Sequence, residues 1–444
     1  MNLLLQVIVL FLCFLMFIVR KEYKIALLLM SAICFTGVSV HLLPIGRSMT
    51  LLNLCFLLSE LPHIKSHWKI LRKSVLWGLI VMELIAFILL VLNSPHYTND
   101  LSSCIRLFIV EIIAKYLVIG YAFISVKDIT SIKPMIKISF GALIMLTVLG
   151  GVNLIMQHAG FVDIILQGSN LNSVTEDLGG KYANSEEGRF RVQSMFLSPF
   201  DYGYISMMLL ILHFYAYKRN LESKLRFGIV IICSLFGIVF CGCRTIIICT
   251  IIGLFVYVCV AFDWKKKIRY FLFVILVGVI SYNAIEPIHN IIDSSLSVFD
   301  KKSEVKGSSI EMRTLQYARV FYYVEDHLLF GRGRDFFLID LGWKGGRETL
   351  RDDALQGLEG ITMGLLLERG LMGIFFWIFF YTTLFYTAYS FRKQDRFTAA
   401  ICITIITIYL CFANMTGELF SVFPTLLLLG TFLAILYKSP SLGK

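Results

Sequence analysis

Apolar residues run along this chain in blocks long enough to cross a bilayer, separated by short polar loops. About thirteen segments carry the ~20 mainly apolar residues that one helical crossing needs. They lie at roughly 2–19, 25–43, 46–62, 75–93, 105–126, 138–158, 196–217, 226–242, 245–262, 270–286, 361–390, 397–415 and 419–437. The expected fold is therefore an all-α polytopic membrane protein. One polar stretch breaks the rhythm: between Glu286 and Glu359 the chain gathers Asp293, Lys301, Lys306, Arg313, Arg319, His327, Arg332, Arg334, Lys344, Arg347 and Asp352. A link between two helices needs neither that length nor that charge. The block is expected to form a largely helical cap over an active surface, with the rest of the chain as its frame. The predicted layout is N-terminal helices over 1–158, a first loop over 159–195, central helices over 196–286, the large loop over 287–360 and C-terminal helices over 361–444.

Charge in the short loops alternates. The stretches Arg20–Lys24, Lys65–Lys73, Lys127–Lys137, Lys218–Arg226, Asp263–Arg269 and Arg392–Arg396 are basic, whereas Ser94–Ser103 is poor in Lys and Arg. The positive-inside rule then predicts an N-terminus outside, a C-terminus inside, and both long loops outside. This patterning accounts for the formal charge of +11 without nucleic acid as a partner. A composition that is 57% apolar, with mean hydropathy +0.77, agrees with the membrane class. No cleavable signal peptide is expected, since residues 2–19 lack a basic n-region. Most of the eleven cysteines lie inside apolar runs and form no C-x-x-C pattern, so they are expected to pack as small hydrophobes. His63 and His67 have helical i,i+4 spacing but no third ligand, and no metal or cofactor is expected. There is no Walker A motif and no G-x-G-x-x-G after a strand, which excludes a soluble nucleotide-binding domain.

Ionisable residues inside spans are costly and mark a pair or a function. Glu83 and Lys115 fall near the middles of consecutive antiparallel helices, and Glu111 precedes Lys115 at i,i+4. A structural Glu83–Lys115–Glu111 network is expected. Outside the spans, Arg189 and Arg191 close the first long loop, Arg244 sits in the tight turn Cys241-Gly-Cys-Arg-Thr, and Arg313 opens an amphipathic helix with an apolar stripe of Leu315, Ala318, Tyr322 and Leu329. Guanidinium groups suit bidentate phosphate binding. Snorkelling to lipid head groups is the bland alternative.

At these residues the chain resembles the O-antigen polymerase/ligase superfamily, membrane glycosyltransferases with a GT-C-like fold. Four pieces match in order: Arg191 leading to Ser198-Pro199-Phe200, then Gly242-Cys-Arg244-Thr, then Arg313 leading to Asp326-His327-Leu-Leu-Phe-Gly331-Arg332-Gly333, and finally Leu366-Leu-Glu368-Arg-Gly370-Leu-Met-Gly373. They cover roughly residues 185–435; the N-terminal third is similar only in hydropathy. The family usually carries a His shortly before the Glu of the last piece, and here Glu359 stands in that place. The departure favours a polymerase over a ligase.

What the resemblance implies is transfer of a saccharide from an undecaprenyl-diphosphate-linked oligosaccharide at the outer face of a bacterial cytoplasmic membrane, with inversion at the anomeric carbon. Arg191, Arg244 and Arg313 would neutralise the leaving diphosphate without a metal. Glu359 would be the base, with Asp353 in reserve. Arg189, Arg332 and the N–H groups of Gly331 and Gly333 are further substrate-binding candidates, although Gly331-Arg-Gly333 also reads as a plain turn. Glu368 is expected to pair either with Arg369 or with an arginine of the site. The bilayer is the obvious partner, and the family association leaves room for a chain-length regulator. A ligase and a lipid-linked oligosaccharide flippase are the competing functions; the latter would need charges through both leaflets and two related helix bundles.

Overall fold

The described part of each apolar segment anticipated from the sequence is largely helical in the computed structural model, which describes residues 2–35, 48–161, 190–284, 289, 310–334, 336, 340–342, 352, 355, 358, 360–417 and 422–438. In chain order the helices of eight or more residues are α1 (Asn2–Ile18), α2 (Lys21–Cys34), α3 (Ser48–Glu60), α4 (Ile64–Arg72), α5 (Val75–Leu92), α6 (Leu101–Ser125), α7 (Lys133–Met156), α8 (Pro199–Lys218), α9 (Lys224–Phe240), α10 (Arg244–Ala261), α11 (Trp264–Ala284), α12 (Ile310–Val324), α13 (Ile361–Ser390), α14 (Arg396–Thr416) and α15 (Val422–Lys438). No β-strand occurs among the described residues. Six helices there are long and apolar enough to cross a membrane: Val75–Leu92, Leu101–Ser125, Ile129–Met156, Arg244–Ala261, Ile361–Lys393 and Arg396–Thr416. The protein is a helical, polytopic membrane protein.

The centre of the bundle is α8, α14 and α15, whose side chains are buried nearly all round, including Tyr204, Tyr215, Tyr409, Phe412 and Phe432. A helix that is apolar on every face has to be enclosed by others. α14 packs most closely on α10, α8 on α9, and α15 on the last third of α6.

The basic loops all come together at one end of this bundle. Arg219 pairs with Asp395, while Arg396 donates to Val260 O at 2.8 Å and to Asp263 Oδ1 at 2.5 Å. Glu60 accepts Lys24 at 2.7 Å and Lys21 at 3.1 Å, and Lys127 reaches Glu22 at 4.0 Å. Lys438 caps the end of α6 by donating to Phe123 O and Val126 O, both at 2.5 Å, satisfying carbonyls that a helix end leaves open. The Tyr437 ring joins the two groups, 5.4 Å from Phe123 and 4.8 Å from Phe391. Loops that alternate in charge along the sequence are thus sorted to one side in space.

The Glu60 node carries a pH dependence. His67 Nε2 donates to Glu60 Oε2 at 2.8 Å, while its Nδ1 is buried without a partner. Burial holds His67 below the usual histidine value; Glu60 opposes that shift, and Lys21 and His63 add to it. A histidine kept neutral in the fold contributes stability above its unfolded value, about pH 6.5, and loses it as pH falls toward the folded one. Melting temperature should therefore drop more steeply on acidification in the wild type than in His67→Gln. Equal slopes for the two would remove His67 from the account.

Candidate functional site

At the end opposite the basic loops, the first two arginine-bearing motifs meet. Val192 N donates to Phe240 O at 3.0 Å, pinning the segment after the first long loop to the end of α9. Gly242, with φ +64, turns the chain between α9 and α10. A methyl group there would come within 3.0 Å of Arg191 Cγ, so the arginine lies directly on the turn. α8 closes the corner from the other side: a methyl at Gly203 would lie 2.7 Å from Cys241 Sγ and 2.9 Å from Ile246. Arg244 is the first residue of α10, where the helix dipole is already positive and a cation is unfavourable. An arginine placed there adds to the positive end of the helix instead of offsetting it. Burial pushes the Cys243 thiol well up, as does its bond to Cys241, while Arg191 acts in the opposite sense and Asp201 adds to the rise. Cys241 and Cys243 are free and buried, packing as small apolar groups.

The third and fourth motifs interlock with each other. α13 is broken at Gly370 (φ 61, ψ −160), and the chain after α12 fills the break. Arg332 N donates to Leu367 O at 2.7 Å and Gly333 N to Glu368 O at 3.0 Å. In return Leu371 N and Met372 N donate to Leu328 O at 2.9 Å and Leu329 O at 3.1 Å. Carbonyls and N–H groups freed by the break are thereby satisfied from outside the helix. The Gly331-Arg332-Gly333 turn is a latch: its N–H groups are taken by backbone carbonyls, Gly331 N by His327 O at 2.7 Å, and offer no cradle for phosphate. The Arg332 side chain also turns back, donating to Tyr323 O at 2.8 Å. A methyl on Gly331 or Gly370 would sit 2.5–2.6 Å from backbone atoms of the facing strand of the latch. Gly370→Ala should cost at least about 2 kcal/mol through positive φ and overlap together. A thermal melt at the wild-type temperature would show that the latch does not hold the cap.

The apolar stripe expected on α12 is not its buried face. Gln316, Val320 and Val324 are 0% exposed, with Arg313 half-buried on the same side, whereas Leu315, Ala318 and Tyr322 face out and Leu329 beyond the helix is exposed as well. The buried face packs with Phe336, Leu341, Leu355, Leu366 and Leu367, and Asp352 pins it by accepting from Arg319 at 2.5 Å and Tyr323 Oη at 2.8 Å. An apolar stripe marks the inner face only where the other face meets water. Its outward position turns Arg313 toward the protein, and the Arg313 Nε is buried.

Between latch and N-terminal helices lies a charge cluster that the sequence indicated only in part. Residues Ile109–Tyr116 in the middle of α6 form a π-helical turn carrying Glu111 and Lys115, a geometry that favours functional or tightly packed positions. Glu111, 3% exposed, accepts Lys115 at 3.2 Å, Arg334 at 3.3 Å and Arg369 at 3.3 Å. Glu368 pairs with Arg334 at 2.8 Å rather than with its neighbour Arg369. Arg334 is further fixed by its backbone N donating to Ser94 Oγ at 2.7 Å, and Asn93 Nδ2 donates to Phe330 O and Gly331 O at 2.9 and 2.8 Å. The expected Glu111–Lys115 pair is present; the two arginines that complete it come from the cap and from α13. Glu83 is buried on α5, which packs against the π turn.

Arg189, Asp353 and Glu359 lie outside the described residues. Of the other anticipated groups, Arg191 and Arg244 meet at one corner, and Gly331, Arg332, Gly333 and Glu368 belong to the latch and its ion pairs. Arg334 and Arg369 were not anticipated as partners of Glu111, although the adjacent charges Glu368-Arg369 within an apolar run were a signal for the second of them. No family model matches the chain, and no curated protein matches its sequence.

Proposed function

We propose that the protein is a membrane glycosyltransferase that joins lipid-linked oligosaccharide repeat units, a polysaccharide polymerase. The observation that carries this is the seating of Arg191 on the Gly242 turn beside Arg244. Two cations from separate parts of the chain share one corner, at the end of the bundle away from the basic loops. With those loops cytosolic, as the positive-inside rule has them, the corner faces the outer side of the cytoplasmic membrane, with the GT-C-like frame of about thirteen crossings beneath it. There a saccharide on an undecaprenyl diphosphate carrier presents its anomeric carbon. Arg191 and Arg244, joined by Arg313 from the inner face of α12, neutralise the charge that grows on the diphosphate as it leaves. The latch and the Glu111 cluster hold the cap over that event.

The test is reconstitution. Purified protein in proteoliposomes, given lipid-linked repeat units and no nucleotide or added metal, should yield a ladder of lengthened glycans. Movement of the lipid across the bilayer with no new glycosidic bond would make it a flippase. A single transfer onto a lipid A core acceptor, without a ladder, would make it a ligase.

A further inference from the structure

The corner holds two polar side chains that the fold itself does not use. Gln193 is 0% exposed, and neither its amide nitrogen nor its amide oxygen has a hydrogen-bond partner. Asp201 is 4% exposed, and among the described residues its carboxylate joins no hydrogen bond or ion pair. A buried amide or carboxylate left empty is costly, so such groups ask for an explanation. Local structure supplies none. The start of α8 is capped by Ser198, whose side chain accepts from Phe200 N, so Asp201 is not needed as a cap. The turn after Gln193 is closed by backbone alone, Phe196 N donating to Gln193 O at 2.9 Å. Both residues flank the arginine corner: Gln193 follows Arg191 by two positions, and Asp201 stands in the first turn of the helix whose Gly203 abuts Cys241 and Ile246. Arg191 and Asp201 both act on the same buried thiol, Cys243.

We propose that Asp201 is the catalytic base of the transfer, taking the proton from the acceptor sugar hydroxyl, with Gln193 holding neighbouring hydroxyls of that sugar. This rests on the glycosyl-transfer reading above. As the acceptor O–H bond breaks, its proton passes to Asp201 and its oxygen bonds to the anomeric carbon. The bond from that carbon to the diphosphate oxygen breaks, and the electron pair leaves with the diphosphate toward Arg191 and Arg244. An amide suits the second role because it both donates to and accepts from a hydroxyl. The assignment gives to Asp201 the task that sequence resemblance suggested for Glu359.

The reconstituted assay tests it with D201N, D201E and Q193A. D201N should elongate at least about 100-fold more slowly, with the KM for lipid-linked donor within a few-fold of wild type and without the wild-type limb of the pH–rate profile at low pH. Q193A should raise the KM for acceptor more than it lowers the rate. If D201N does not fold, D201E takes its place: a base displaced by one methylene should slow elongation at least about 10-fold at unchanged donor KM. Wild-type rate and profile in D201N, or wild-type rate in D201E, overturns the assignment while leaving polymerase activity standing. A wild-type protein that forms no glycosidic bond overturns both.

Discussion

Replacing Glu111 by Gln is expected to destabilise the protein by about 3–5 kcal/mol, the range for removing one member of a buried ionic group. The carboxylate takes ion pairs from Lys115 and Arg369, and it shares Arg334 with Glu368. Without it, cations from α6, α13 and the cap are left side by side at a depth where water does not screen them. Removing Lys115 instead should cost much less, because Glu111 keeps two guanidinium partners and Lys115 is itself about a quarter exposed. The two changes are therefore not additive: Lys115→Met should recover part of what Glu111→Gln loses. Thermal unfolding of the two single variants and the double, in the same detergent or nanodisc, measures this. A Glu111→Gln protein that melts with the wild type would mean the cluster is not a structural keystone. The cap should report the same change, since Arg334 and the Gly331 latch hang from the cluster; protease cleavage after residues 310–334 should speed up in Glu111→Gln.

Sequence was a good guide where the physics is local and a poor one where it depends on what an element faces. Apolar runs placed the helices, because a segment that must satisfy its own backbone in lipid has one regular option. Alternating loop charge placed the basic end, and the contacts of Arg219, Arg396 and Lys438 bear that sorting out. Glu111 and Lys115 were visible as a pair because i,i+4 neighbours need no knowledge of the fold. Arg334 and Arg369 were not, since their meeting with Glu111 depends on a break in α13 and on a loop folding into it. Gly370 stood in a mainly apolar run directly after Glu368-Arg369, and nothing in periodicity announces a residue with φ 61. The stripe on α12 misled for a different reason: hydrophobicity was equated with burial in a region where the exposed side of the helix is the apolar one. Asp201 escaped notice because an acid three places into a helix is an ordinary N-terminal residue; only its burial, with no partner among the described residues, sets it apart.

Arg244→Ala is expected to lower elongation by about 10²–10³-fold, the scale seen when one positioned donor is removed from developing charge. Arg244 opens α10, where the dipole disfavours a cation, so the loss in elongation should far exceed any change in thermal stability. A purely structural arginine would give the opposite combination, a lower melting temperature with activity falling in proportion. Arg191→Ala should behave similarly, with one difference: its stem lies across the Gly242 turn, so some stability should go with it. Lysine at position 244 should restore only part of the rate, because a point charge cannot grip two phosphate oxygens as a guanidinium does. Arg244→Ala and Arg191→Ala together should cost less than the product of the single losses if both contact one diphosphate. Strict multiplicativity would place the two arginines on separate groups and dissolve the shared anion site.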